Sequence, residues 1–147
     1  GLENLQITAK LKKTPASEIT HVLQTVRLYE QRDKKVRQYS LGMKQRLGIA
    51  MALLGSPRVL ILDEPTNGLD PAGIQEIREF IRELPIIRQM TVIVSSHLLG
   101  EIEQMADMVG IINHGELIFQ DSLAALETGG ESLEDAFLNM TGGGESL

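Results

Sequence analysis

The sequence predicts an α/β fold, a mostly parallel sheet with flanking helices. Two short apolar runs carry the strand half of that prediction: Val59-Leu60-Ile61-Leu62 and Thr91-Val92-Ile93-Val94. Continuous apolar runs of this length, bounded by turn residues, read as strands buried on both faces. Between them Ile74, Ile77, Ile81 and Leu84 recur at helical spacing behind Asp70-Pro71, a helix start with proline just inside it. Strands separated by a helix in this rhythm lie parallel. The chain has 147 residues, 42% of them hydrophobic, enough for one ordinary domain.

The remaining elements follow in order. Leu5, Ile7, Ala9 and Leu11 alternate with polar residues, which is a strand period, yet the residues between them favour helix. Thr14-Pro15 reads as an N-cap and first helical residue, with Ile19, Val22, Leu23 and Val26 on one helical face. Residues 27–38 are charged and mixed, an exposed helix end and loop. From Ser40 a new helix carries Met43, Leu47, Ala50, Met51 and Leu54 and stops at Gly55-Ser56-Pro57. Beyond the second strand, residues 98–106 form a short helix and residues 108–112 a third strand. Asn113-His114-Gly115-Glu116 turns into a fourth strand at residues 117–119, giving a parallel sheet with an antiparallel edge. A last helix covers residues 133–140, flanked by Gly-Gly-Glu-Ser-Leu at 129–133 and 143–147; the second copy is expected to fray.

Composition removes several function classes. The absence of cysteine excludes disulfides, thiolate chemistry and cysteine zinc sites. Fourteen Lys+Arg against twenty Asp+Glu, a net charge of -6, argue against coating nucleic acid by bulk charge. No apolar run approaches the roughly 18–20 residues of a membrane-spanning helix. The start, Gly1-Leu2-Glu3, carries neither an initiator Met nor a basic-then-apolar signal pattern. A cytoplasmic home is the expectation.

Three elements bear chemistry. Asp63-Glu64 directly follows the first apolar run, at the carboxyl edge where open α/β sheets place ligands. Neighbouring residues on an extended chain point opposite ways, so one acid can orient a hydrated Mg²⁺ and the other hold an attacking water. The competing reading is a solvated Asp-Glu-Pro turn. His97 follows the second strand and is placed on the same edge, as a catalytic or as a merely structural histidine; His21 and His114 have no evident partner. Tyr39-Ser40-Leu41-Gly42-Met43-Lys44-Gln45-Arg46 opens a helix whose free N–H groups and dipole suit an anion, although Ser40 also suits an ordinary cap.

Taken together and in order, these elements resemble the ATP-binding-cassette (ABC) ATPases. Residues 39–46 stand where that family has its signature, commonly Leu-Ser-Gly-Gly-Gln. Leu60-Ile61-Leu62-Asp63-Glu64-Pro65-Thr66 looks like its Walker B strand, Asn67-Gly68-Leu69-Asp70-Pro71 its D-loop and Ser95-Ser96-His97 its switch-histidine loop. The wording of the signature is similar to the branch serving bacitracin and lantibiotic exporters. The resemblance implies a partial P-loop NTPase core in which residues 3–12 are helical rather than extended. It divides the chain into 1–56 (end of a helical subdomain, with the signature), 57–128 (Walker B to switch His) and 129–147 (C-terminal helix and tail).

The same resemblance implies roles. Asp63 would orient Mg²⁺, Glu64 would be the catalytic carboxylate and His97 would contact the γ-phosphate of ATP. Ser40, Gly42 and Met43 would close over ATP held by a second ATPase subunit, and Asp70 would couple the two sites. A membrane-spanning permease would be the other partner, with no nucleic acid involved, and the subunit would sit on the inner face of the cell membrane. Two departures stand out: Leu41 replaces the first signature glycine and Met43 the usual glutamine. No Gly-x-x-x-x-Gly-Lys-Ser/Thr occurs in the sequence, so the phosphate-cradling P-loop is missing, and the adenine-stacking aromatic and Q-loop glutamine, which lie upstream in the family, have no position here. The expectation is therefore a C-terminal fragment, inactive as a monomer, with an open sheet edge that favours dimers or swapped oligomers. A non-transport ABC ATPase and a non-catalytic regulatory fragment are the alternatives.

Overall fold

The computed structural model describes residues 1–128 and 132–142. It divides into two compact units, Gly1–Ser95 and Ser96–Leu147, each described by itself.

The first unit opens with three helices: α1 (Leu2–Leu11), α2 (Ser17–Thr25) and α3 (Leu41–Leu53). The alternation at residues 5–11 does not become a strand, because Leu5 and Ala9 are four apart and share the buried face of α1. The second helix begins later than Thr14-Pro15 suggested. Its N-cap is Ala16, without a side-chain bond, because α1 first ends in a turn that consumes Thr14. In that turn the Thr14 N–H donates to the Ala9 carbonyl at 2.9 Å and the Lys13 N–H to Lys10 at 3.2 Å, with Lys13 left-handed at φ 54°. This is the Schellman arrangement that closes helix C-termini. Helix α2 ends the same way through Arg27 and Leu28, whose N–H reaches Leu23 at 2.9 Å. Ile19, Val22, Leu23 and Val26 are buried as their spacing predicts, and Leu28 joins them from the polar segment.

Helix α3 buries Leu47, Ile49, Ala50 and Leu53, while Met43 and Met51 are only half-buried. Its C-terminal end is held from its neighbours. The Lys12 ammonium donates to the carbonyls of Met51, Ala52 and Leu54 at 2.9, 3.0 and 3.1 Å, and Glu18 accepts from the Gly55 N–H at 3.0 Å. A cation on the carbonyl end of a helix is the favourable arrangement for both dipole and unsatisfied acceptors.

Strands β1 (Val59–Asp63) and β2 (Thr91–Ser95) pair in parallel, Ile61 opposite Ile93 and Asp63 opposite Ser95. Helix α4 (Pro71–Arg88) connects them and buries Ile77, Phe80, Ile81 and Leu84; it runs through Pro85 to Arg88. The expectation of strands buried on both faces is wrong. Leu60 and Leu62 point into the core, but Ile61 is 72% exposed and Val59 and Ile93 half so. One face of the pair is covered and the other is open.

In the second unit, α5 (Leu99–Met105) leads to β3 (Met108–Asn113) and β4 (Glu116–Ser122), followed by α6 (Leu123–Thr128) and α7 (Leu133–Thr141). The hairpin turn has His114 at φ 49° and Gly115 at φ 84°, the double positive-φ geometry of a two-residue hairpin. Val109, Leu123 and Leu133 form its core, with Leu99, Ile102, Ala106 and Leu126 against them. The antiparallel pair is thus a separate two-stranded sheet and not the edge of the parallel one, since no described strand bridges them. The Gly-Gly-Glu-Ser-Leu copies fall largely outside the described residues.

Candidate functional site

Ser40 is the N-cap of α3: its backbone is extended and its hydroxyl oxygen accepts from the Met43 N–H at 3.2 Å. Met43 therefore contributes its amide to the cap. The N–H groups of Leu41 and Gly42, in the first turn, have no acceptor within the helix and face its exposed start. Asp70 does for α4 what Ser40 does for α3, its Oδ1 accepting from the Gly73 N–H at 2.9 Å.

These two helix starts meet. Ser40, Leu41, Gly42, Met43 and Arg46 line one open groove of about 400 Å³ with Gly68, Leu69, Asp70, Ala72, Gly73 and Glu76. Two contacts hold the walls together. Leu41 packs over Gly68, and Arg46, largely covered, pairs with Glu76 at 2.6 Å. The sequence motifs at 39–46 and 67–71 thus become one surface in the folded chain, with amide donors and the Asp70 carboxylate on it.

The carboxylate pair sits at the end of β1. Asp63 is exposed and Glu64 half-buried. Glu64 is not on an extended chain: its φ is 46°, in the left-handed region, so simple alternation does not separate the two side chains. That conformation is held through Ser95, which the register places beside Asp63. The Glu64 N–H donates to the Ser95 carbonyl at 3.1 Å and to its hydroxyl oxygen at 3.2 Å, while the Ser95 hydroxyl donates to Asp63 Oδ1. Asp63 retains acceptor capacity toward solvent, since a carboxylate has about four lone-pair sites; an exposed carboxylate of this kind fits a hydrated divalent cation.

His97 lies in the second unit, exposed, just before α5. It lines an open hollow of about 430 Å³ with Leu98, Leu99, Gly100, Glu101 and Glu134. Among the described residues no cluster of three or more acidic, histidine or cysteine side chains forms a metal cage. Sequence reasoning gave Ser95 and Gly68 no role beyond membership of a motif and missed Glu76 altogether. Glu76 lies just beyond a motif, and the pairing of Ser95 with Asp63 carries no signal until strand register is known.

Residues 2–67 match the family model described as ABC transporter. A bacitracin transport ATP-binding protein (BcrA) of Enterococcus faecalis is 48% identical over 127 residues, 86% of this chain and 41% of the relative. Over these residues the chain is similar to the ABC transporter family. A lantibiotic transport ATP-binding protein (SrtF) of Streptococcus pyogenes is 44% identical over 137 residues, 93% of this chain and 58% of that protein. Among solved structures, cbiO1 of Clostridium perfringens, part of the ABC transporter complex cbiONQ, superposes with a TM-score of 0.76 at 30% identity. That match covers 92% of this chain and 55% of the other. An ATP-binding subunit of an ABC transporter gives 0.75 at 26%, covering 95% and 61%. The fold is accordingly that of an ABC ATPase domain, and the chain spans about two fifths to three fifths of the length of these curated relatives. Among the described residues no helix is long and apolar enough to cross a membrane.

Proposed function

We propose that this chain is the signature-to-switch portion of the ATP-hydrolysing subunit of an ABC exporter for peptide antibiotics or drugs. The observation that carries it is the shared groove, in which the start of α3 and the Gly68-Leu69-Asp70 turn present helix-start amides and a carboxylate together. The names of the bacitracin and lantibiotic relatives support the cargo class. Ser40, Gly42 and Met43 offer the first turn of α3 to the γ-phosphate of an ATP bound by a second ATPase subunit. Asp70 links the two sites across that dimer. Glu64 accepts the proton of the attacking water and His97 steadies the γ-phosphate.

Asp63 would hold the Mg²⁺, whose charge neutralises that developing on the phosphates. A membrane-spanning permease takes up the closure and opening of the dimer on the cytoplasmic face of the membrane. Half of the phosphate site, the P-loop lysine and its amides, is absent from this sequence, so the 147-residue chain alone does not turn ATP over.

The test joins the chain to a P-loop-bearing strand and helix from an ABC ATPase and measures phosphate release. The fusion should hydrolyse ATP, and Glu64→Gln should lower the rate by about 10²–10⁴-fold while ATP still binds. Equal rates for the fusion and its Glu64→Gln variant would remove the catalytic role. Turnover by the unfused chain would remove the claim of inactivity.

A further inference from the structure

We propose that Ser95 is the positioning residue of the Asp63–Glu64 pair, a role that rests on the reading of those two carboxylates given above. The parallel register sets Ser95 directly beside Asp63, at the same end of the sheet and on its open face. Its hydroxyl has one proton and two lone pairs, and the structure uses both kinds of capacity at once. The proton goes to Asp63 Oδ1, and a lone pair receives the Glu64 N–H at 3.2 Å. One side chain on β2 therefore fixes the orientation of one carboxylate and the backbone of the other.

The backbone half of this role is shared between the main chain and the side chain of Ser95. Glu64 adopts φ 46°, a conformation that L side chains avoid and that persists only where surrounding bonds impose it. Its N–H is shared between the Ser95 carbonyl, which any residue would supply, and the Ser95 hydroxyl, which only serine or threonine supplies. The Asp63 half depends on the hydroxyl entirely. An alanine at 95 leaves the parallel ladder intact but frees the Asp63 carboxylate to rotate, moving the oxygen that a cation would meet. Threonine restores both bonds.

The experiment uses the 147-residue chain, isotopically labelled, as wild type, Ser95→Ala and Ser95→Thr. NMR follows the Asp63 carboxyl ¹³C resonance, amide exchange at Glu64, and the line broadening of Asp63 by Mn²⁺ added alone. In Ser95→Ala the Asp63 resonance should shift and the Glu64 amide exchange faster by about three- to tenfold. The amides of β1 and β2 at Leu60 and Val92 should stay as protected as in the wild type, and Ser95→Thr should return both readouts. Unchanged Asp63 and Glu64 signals in Ser95→Ala, or a Ser95→Thr that behaves like alanine, would overturn the proposal. If the wild-type Asp63 is not broadened by Mn²⁺, the metal reading of Asp63 fails, and the resonances still decide the role of Ser95.

Discussion

Leu41 covers Gly68 so closely that a Cβ on that glycine would stand 3.3 Å from Leu41 Cδ2. Leu41, one of the two departures from the signature that residues 39–46 resemble, is thus a packing contact onto the Gly68 turn. Gly68 also has φ 77°, where a side chain is strained whatever the space. Gly68→Ala should cost about 1–2 kcal/mol in urea unfolding. Removing the contact with Leu41→Gly should not recover that loss, because the backbone strain remains. A Gly68→Ala variant as stable as the parent would show that the turn adapts freely.

Lys12 makes a different kind of long-range tie. Its ammonium caps the carbonyl end of α3, the helix that Ser40 caps at its start. Lys12→Met keeps the aliphatic stem and removes the charge, and should lower stability by up to about 1 kcal/mol, less at high salt. A loss that does not shrink with salt would point to lost packing instead.

Tyr39 gives the chain an alkaline limit. It is buried, and its hydroxyl donates to the Gln31 carbonyl at 2.8 Å, pinning the loop that precedes α3. Burial, with the Asp33 charge added, pushes its phenol above the ordinary value of 10.0. The folded state therefore holds this proton more tightly than the unfolded state. The stability it contributes is complete below about pH 10, the unfolded value, and is lost as pH rises through the higher folded value. Chemical unfolding between pH 9 and 11, in ranges about that ordinary value, should show the decline, and Tyr39→Phe should flatten it.

Helix starts were legible in this sequence where a side chain performs the cap. Ser40 and Asp70-Pro71 mark α3 and α4 because short polar oxygens before an apolar stripe have one favourable use. Helix ends were less legible: α1 and α2 close through left-handed Lys13 and Arg27, where glycine would have announced the turn. The open sheet face escaped for another reason. Apolar runs such as residues 59–62 report what a strand is able to bury, and Ile61 is as apolar as Leu62 although only Leu62 is covered. The order of the motifs was readable, but the Asp63–Ser95–Glu64 bonds depend on a register between residues some thirty positions apart, which no local pattern encodes.

The double duty of Ser40 and Asp70 bears on how genetics in this chain is to be interpreted. Each closes a helix through a hydrogen bond to its own backbone as well as standing in the shared groove. An alanine at either position removes a cap worth about 1 kcal/mol together with any contact to phosphate. Loss-of-function alleles there conflate a shortage of folded protein with a defect in the folded protein. Threonine at 40 and asparagine at 70, which cap while changing shape or charge, separate abundance from competence.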